Sequence, residues 1–557
     1  MVEFNEEKQT RKFDELRRRE EEELMHILSS KYGIPYADLG PIAVDLDALR
    51  VVTAEIAKDA QAAVFNKIDK RIQIGIRSPN NPKTQALLDS LKERGYMVEP
   101  FLVSQASLEK VWSRYEDLSF SFETKSGALD ISSEEINTFL SKTHSIDDIR
   151  ASIAEVLKLK KGYRISRILE IVVAGSLALN ASDIHIEPQE NFIRLRYRLD
   201  GVLMDILELD KETYNLLLSR IKLLSGLKLN LRDVAQDGRF SIDVQDMEIE
   251  IRTSLLPGAY AESVVLRILN PKSISVPLEE LGLHPLLLER ILKEISKPNG
   301  MLLTTGPTGS GKTTTLYAFM KKVYTPEIKI ITIENPIEYH LAGIVQTQTD
   351  SKKGYTFNEG LRSALRQDPD VIMVGEIRDG ETAETAINAA LTGHLVFSTL
   401  HTNNAAGTFP RLIDLGVNSN VISSAINVTM AQRLVRKLHP TNRKQIPLEG
   451  EHKALVEKYV ASITDKRYLE GVDLTHEWVP ADTSLPQPEQ YKGRIGIFEA
   501  IFTDQKIEEI LQMNSSEREI EKVAKEDQQM ITLAEDAILK IMKGETTFEE
   551  VTRVIEL

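Results

Sequence analysis

Apolar positions along the chain fall into blocks whose period switches between helix-like and strand-like. Residues 1–30 are dense in charge of both signs, and Phe13, Leu16, Leu24 and Leu28 give only a thin apolar stripe, which predicts a solvated helix. Over 31–115 the pattern predicts a small α/β domain. Ile72, Ile74 and Ile76 alternate as in a half-buried strand, Thr84–Arg94 has the helical period, and Met97–Val103 is a further strand. Residues 116–148 carry Ser, Thr, Asp and Glu clusters without sustained period and read as a linker. A second α/β block, 149–271, opens with a helix through Leu169–Leu179 and continues with strands at Phe192–Tyr197, Met247–Thr253 and Val264–Leu269. The short connection Lys272–Pro277 leads to a third block, 278–440, in which strand, loop and helix alternate as a helix-covered parallel sheet requires. Beyond Pro440 the pattern weakens into a polar insertion, 441–492. The tail 493–557 reads as mostly helical, with Gly544 placed to end a helix.

Length and composition narrow the class. At roughly 150 residues per domain, 557 residues set a prior of about 3.7 domains. With 42% hydrophobic and 27% charged residues the chain is globular and too apolar for a disordered one. Eighty-four acids against 69 Lys and Arg give a net charge of −15, which disfavours nonspecific binding to nucleic acid. The absence of cysteine removes disulfides, thiolate-ligated zinc, iron–sulfur clusters and thiol nucleophiles. The first residues contain no apolar run resembling a signal peptide. The longest apolar stretch, Ile171–Leu179, is interrupted by Gly175 and Ser176 and is too short for a bilayer. A soluble cytoplasmic protein is expected.

Candidate chemistry concentrates in the third block. The apolar strand Met301–Thr305 runs into Gly306-Pro307-Thr308-Gly309-Ser310-Gly311-Lys312-Thr313, followed by Thr314 and a helical pattern. This is the G-x-x-x-x-G-K-[ST] spacing. Its glycines let backbone N–H groups face phosphates, and the following helix adds its positive N-terminus. Lys312 would neutralise the β/γ oxygens and Thr313 would ligate Mg²⁺ through its hydroxyl. Such a loop needs acids to hold the metal and orient water. Strand Ile328–Ile333 leads into Glu334-Asn-Pro-Ile-Glu338, and strand Val371–Val374 into Gly375-Glu376-Ile-Arg378-Asp379. Ligands sit at the carboxyl ends of such strands, so Glu334 and Glu376 are the leading candidates, with Glu338 behind them. Strand Leu395–Thr399 starts after His394 and ends at His401, which reads equally as a γ-phosphate sensor or as a satisfied core histidine.

Ser182-Asp-Ile-His-Ile-Glu-Pro188, Gln236-Asp-Gly-Arg239, Gly306–Thr313, Leu365-Arg-Gln-Asp-Pro-Asp370, Gly375–Asp379 and Ser398-Thr-Leu-His-Thr402 together resemble one family: the ATPases of type II secretion and type IV pilus machines. The resemblance covers about 31–440 and 493–557. It implies an α/β multidomain fold, with a RecA-like P-loop core preceded by a PAS-like domain at 149–271 and a small N-terminal docking domain, and a helical C-terminal tail. It implies a homo-hexamer binding ATP and Mg²⁺ at the junction of the second domain and the core. Lys312 and Thr313 match the family's Walker A, Glu334 its acidic box, Glu376 its atypical Walker B (a Mg²⁺ ligand), and His401 its histidine box. Arg252 and Arg267 match arginines that the second domain presents to nucleotide. Arg362, Arg366, Arg378 and Arg411 match arginines of the core with catalytic or interface roles.

Two departures stand out. The family's acidic box usually reads Glu-Asp, whereas here it reads Glu334-Asn335. Many members bind zinc through four cysteines where this chain has 441–491. His452 and His476 alone cannot close such a site, so no zinc is expected. The helix Glu451–Ile463, with Leu455, Tyr459 and Ile463 at four-residue spacing, is expected to anchor the insertion by packing instead.

As partners the resemblance implies an inner-membrane platform protein and a cytoplasmic assembly protein at the N-terminal domain, with membrane contact only through them and no direct nucleic acid. Some relatives bind a cyclic dinucleotide through repeated motifs in this domain; no convincing copy is present. Shorter retraction ATPases lack the domain, which favours assembly or secretion. The competing readings are a DNA-traffic translocase, opposed by the acidic balance, and a non-hydrolysing scaffold, opposed by retention of Lys312, Thr313, Glu334 and Glu376.

Overall fold

The computed structural model describes residues 21–39, 46–49, 51–68, 70–115, 139–143, 145–157, 161–244, 247–270, 276–513 and 516–557. Phe13 and Leu16, most of the predicted linker and most of the connection before Pro277 lie outside these residues. The described residues group into two compact units that divide at Ile268/Leu269, with only the turn Leu199–Val202 grouped with the second.

In the first unit, strands β1 (Ala62–Ile68), β2 (Arg71–Ile76) and β3 (Met97–Leu102) form a sheet in the order β1-β2-β3, antiparallel then parallel. The alternating Ile72, Ile74 and Ile76 are all fully buried. Helix α1 (Pro82–Glu93) starts two residues before its periodic pattern because the Asn81 side chain caps it and Pro82 fits its first turn. Its Leu87, Leu88 and Leu91 cover the sheet. Helix α2 (Gln105–Ser113) follows β3, capped by Ser104.

The second block of this unit packs helices α3 (Ile146–Val156) and α4 (Lys161–Ala178) with six strands. These are β4 (Asp183–Pro188), β5 (Ile193–Leu199), β6 (Val202–Leu209), β7 (Gln236–Val244), β8 (Met247–Leu256) and β9 (Ser263–Leu269), in the order β6-β5-β4-β9-β8-β7, with helix α5 (Lys211–Leu224) between β6 and β7. Helix α4 begins eight residues before Leu169. The short alternation Asp183-Ile-His-Ile-Glu-Pro188 is a central strand in its own right. Tyr197 on β5 donates its hydroxyl to Val172 O at 2.5 Å and so pins α4 to the sheet. Gly238 is needed because a Cβ there would lie 2.4 Å from Ser225 O.

The second unit opens with helix α6 (Pro285–Ile295) and is built on a seven-stranded sheet. Its chain order is β10 (Gly300–Thr305), α7 (Lys312–Val323), β11 (Ile330–Glu334), β12 (Val345–Gln348), α8 (Phe357–Leu365), β13 (Val371–Val374), α9 (Gly380–Leu391), β14 (Leu395–Leu400), α10 (Thr408–Asp414), α11 (Ser419–Ala425) and β15 (Ile426–Leu438). The insertion adds β16 (Arg443–Pro447), α12 (Gly450–Ser462) and β17 (His476–Pro480), before β18 (Tyr491–Phe502). The spatial order is β12-β11-β13-β14-β10-β15-β18, parallel throughout except that β18 runs against β15. β10, β11, β13 and β14 are buried at every residue, as strands covered on both faces must be. Met301 and Leu303 enter one core while Leu302 enters the other, with α6 and α7 on the latter face.

The tail departs from its predicted helical reading at its start. Residues 491–502 form β18, whose Ile495, Ile497, Phe498, Ala500 and Ile501 are buried. Gly493 and Gly496 disfavour helix there, and pairing with β15 decides the conformation. Helices α13 (Gln505–Gln512), α14 (Glu517–Gln528), α15 (Leu533–Met542) and α16 (Phe548–Thr552) follow. Gly544 lies just past α15 with φ of +72°, the left-handed helix-ending conformation expected of it. In the insertion, Val456 of α12 is buried in the main core and Leu455, Tyr459 and Val460 pack against it. Ile463 packs with Tyr468, Ile531 and Leu539.

Candidate nucleotide site

Four strand ends converge on one edge of the large sheet. β10 runs into the loop 306–311, Glu334 is the last residue of β11, Glu376 lies two residues past β13, and His401 directly follows β14. The loop depends on glycine where φ is positive. At Gly306 φ is +141° and a Cβ would sit 2.6 Å from Gln432 O; at Gly311, which caps α7, φ is +88°. Around Gly309, by contrast, a Cβ would meet nothing within 4 Å. The loop is therefore fixed on its protein side and open on the other, and the N-terminus of α7 follows it with Thr313 and Thr314 in the first turn. This cradle fits a phosphate chain.

Lys312 Nζ donates to Gly306 O at 2.7 Å and Pro307 O at 3.1 Å. Burial pulls its pKa below the ordinary lysine value, Glu376 opposes that fall, and Arg433 adds to it. Glu376 accepts from Arg378 Nη2 at 2.5 Å and lies 3.6 Å from His401 Nε2. His401 has a side chain 52% exposed, so the core-histidine reading fails. The turn bearing Glu376 is held from β14, where Ser398 Oγ donates to Val374 O at 2.7 Å and Thr399 Oγ1 to Gly375 O at 2.8 Å.

Glu334 is placed differently. It is 2% exposed and saturated by donors. Thr332 Oγ1 and Gln346 Nε2 donate to Oε1 at 2.5 and 3.0 Å, and the Tyr317 hydroxyl donates to Oε2. Burial, with Glu334 beside it, pushes the Tyr317 phenol well above its ordinary pKa, so it stays a donor.

The arginines divide into three groups. Arg378 pairs with Glu376. Arg362 and Arg366 on and just after α8, and Arg411 on α10, are exposed and make no ion pair among the described residues. Arg252 and Arg267 lie on β8 and β9 of the first unit, where Arg252 Nε pairs with Glu250 at 3.0 Å and Arg267 Nε with Asp183 at 2.9 Å.

The sequence reading missed several supports. Thr305, which closes β10, receives the Thr402 N–H at 2.7 Å and so ties the histidine loop to the base of the phosphate loop. Gln432 Nε2 donates to Ser310 O at 2.6 Å, and Arg433 Nη2 to Asn403 O at 2.8 Å. The signal was present: Gln432-Arg433 interrupts the apolar run of β15 just past the point where Ala431 pairs with Thr305.

Glu499 on β18 is almost wholly buried and accepts the Ala405 and Leu533 N–H groups at 2.7 and 3.0 Å, so it joins the loop after β14 to the start of α15. Burial pushes its pKa up to about 7, partly opposed by those two hydrogen bonds. The native state thus holds a proton there that the unfolded chain has released, and stability falls as pH rises from the ordinary glutamate value to about 7. The loss across that window is about 3 kcal/mol. Chemical denaturation at a series of pH values should show this slope, and Glu499→Gln should flatten it; an unchanged slope in the variant would assign it to other groups.

A parallel sheet with helices on both faces, a P-loop at one strand end and acids at the neighbouring ends defines a RecA-like P-loop ATPase. The comparisons place it further. Residues 158–553 match the family model described as Type II/IV secretion system protein, and residues 32–121 match the MshEN domain. The chain is 41% identical over 412 residues to type II secretion system protein E of Xanthomonas campestris, covering 74% of this chain and 70% of that one. It is 34% identical over 536 residues to the type IV pilus assembly ATPase PilB of Myxococcus xanthus, covering 96% of this chain and 91% of the relative. The crystal structure of the ATPase DotB from Legionella pneumophila shares the fold at a TM-score of 0.50 and 22% identity, over 69% of this chain and 94% of that one. The chain belongs to the type II/IV secretion system protein family and is one of its ATPases.

Proposed function

We propose that the chain is a motor that hydrolyses ATP to drive assembly of a type IV pilus or a type II secretion pseudopilus. In this reading it works as a homo-hexamer at the cytoplasmic face of the inner membrane, through a platform protein, with a second assembly protein at its N-terminal domain. The 34% identity to a pilus assembly ATPase over 96% of the chain carries this reading. Among the described residues no helix is long and apolar enough to cross a membrane.

Lys312 and the loop 306–311 hold the phosphates, Glu334 and Glu376 divide the tasks of activating water and holding the metal shell, and His401 senses the terminal phosphate beside Glu376. Mg²⁺ would be held by Thr313 and Glu376 and would offset charge on the β and γ oxygens. The family resemblance assigns Arg252 and Arg267 to the nucleotide as well. Arg362, Arg366 and Arg411 stand exposed without ion pairs among the described residues, which suits arginines that complete or brace a neighbouring subunit's site.

The test is turnover against protein concentration, with mass measured in parallel. Specific activity should rise as hexamers form. Full activity in a monomer would overturn the hexameric reading.

A further inference from the structure

A second cation stands beside the phosphate loop. Arg433 lies on β15, and a Cβ placed on Gly306 would sit 3.1 Å from its Nη1. Its two hydrogen bonds go to neutral carbonyls, Nη1 to Gln432 O at 3.0 Å and Nη2 to Asn403 O at 2.8 Å. Among the described residues it makes no ion pair, although its guanidinium is half-buried; burial pulls its pKa down and the charge of the buried Glu499 partly opposes that fall. Lys312 feels the repulsion, since Arg433 depresses its pKa while Glu376 opposes the fall. Two buried polar atoms beside the loop, Ser310 Oγ and Gln432 Oε1, also have no hydrogen-bond partner among the described residues.

A half-buried guanidinium whose remaining N–H donors have no partner among the described residues, next to a second cation, gains from an anion that completes the site. Two of its five donors are committed, and its planar fork suits phosphate oxygens. We propose that Arg433 contacts the phosphates of the bound nucleotide in the same subunit, as a second fixed cation beside Lys312. Asn403 and Gln432 hold the guanidinium in place. Because Asn403 lies between His401 and Ala405, the same arginine ties phosphate occupancy to the loop that carries His401.

The proposal rests on the P-loop being the nucleotide site, and the test separates the two. Binding of a fluorescent ATP analogue and of the equally labelled AMP is measured on the full chain, for wild type, Arg433→Gln and Arg433→Lys. Arg433→Gln should weaken ATP binding about tenfold or more, leave AMP binding nearly unchanged, and be largely rescued by Arg433→Lys. Equal ATP affinity in wild type and Arg433→Gln, or a parallel loss for ATP and AMP, would overturn the proposal and leave the P-loop reading standing. Failure of the wild type to bind ATP would overturn both. A second measurement needs no variant: ATP but not AMP should shield Arg433 in the wild-type chain from phenylglyoxal, read by peptide mass spectrometry. Equal labelling with both nucleotides would refute the contact.

Discussion

Replacing Lys312 with alanine should abolish ATP turnover and weaken nucleotide binding while leaving the fold intact. The side chain is tethered to its own loop by the Gly306 and Pro307 carbonyls, at 2.7 and 3.1 Å. These acceptors belong to the loop that would receive phosphate, so the ammonium is already held at the site. Its removal leaves the β/γ charge without a fixed counter-charge and takes from Glu376 one of the cations that act on it, Arg378 remaining. Losing one preorganised charge-stabilising donor costs about 10²–10³-fold in rate, and a lost hydrogen bond to a charged group costs about 1.5–3 kcal/mol in binding. No apolar core is opened, so the melting temperature should stay close to wild type. Phosphate release and nucleotide affinity measured on the folded variant decide the matter, and wild-type turnover would remove the loop from the active site.

The candidate nucleotide site was legible because its signals are local. A fully buried strand reads as an unbroken apolar run, and Gly306–Thr313 carries its chemistry in eight consecutive residues. The acids could be placed because each ends such a run. The environment of Glu334 was not legible: Tyr317, Thr332 and Gln346 reach it from α7, β11 and β12, and no spacing rule links positions 17, 2 and 12 residues away. β18 failed for a related reason. Its strand conformation is imposed by β15, more than fifty residues earlier in sequence, while the residues after it do carry the helical period. Arg252 and Arg267 came from resemblance alone, and each has an acid within its own sheet. Arg433 escaped notice because nothing in β15 distinguishes it from the nearby Arg436 and Lys437, and no motif surrounds it.

Glu334→Gln and Glu376→Gln should each keep ATP binding and lose about 10²–10⁴-fold in turnover, the range of a general base or water-positioning group. Their surroundings make the two losses distinguishable. Glu376 is partly accessible, pairs with Arg378 and lies near His401, so its neutralisation removes negative charge from the side of the site that faces Lys312. Its variant should therefore need more Mg²⁺ for half-maximal activity. Glu334 is enclosed, and to act on water it must give up one of its three donors. Gln346, whose amide also donates to the Tyr339 carbonyl at 3.1 Å, can release Glu334 while keeping a partner. In Glu334→Gln the new amide NH₂ faces donors where the carboxylate accepted them, which costs stability. The informative quantity is thus turnover at saturating ATP and Mg²⁺ on protein shown to be folded, together with the Mg²⁺ dependence. A Glu334→Gln chain that is less stable yet turns over normally would make Glu334 a structural acid. The water would then have to be activated elsewhere, with Glu338, four residues further along the same loop, the next group to replace.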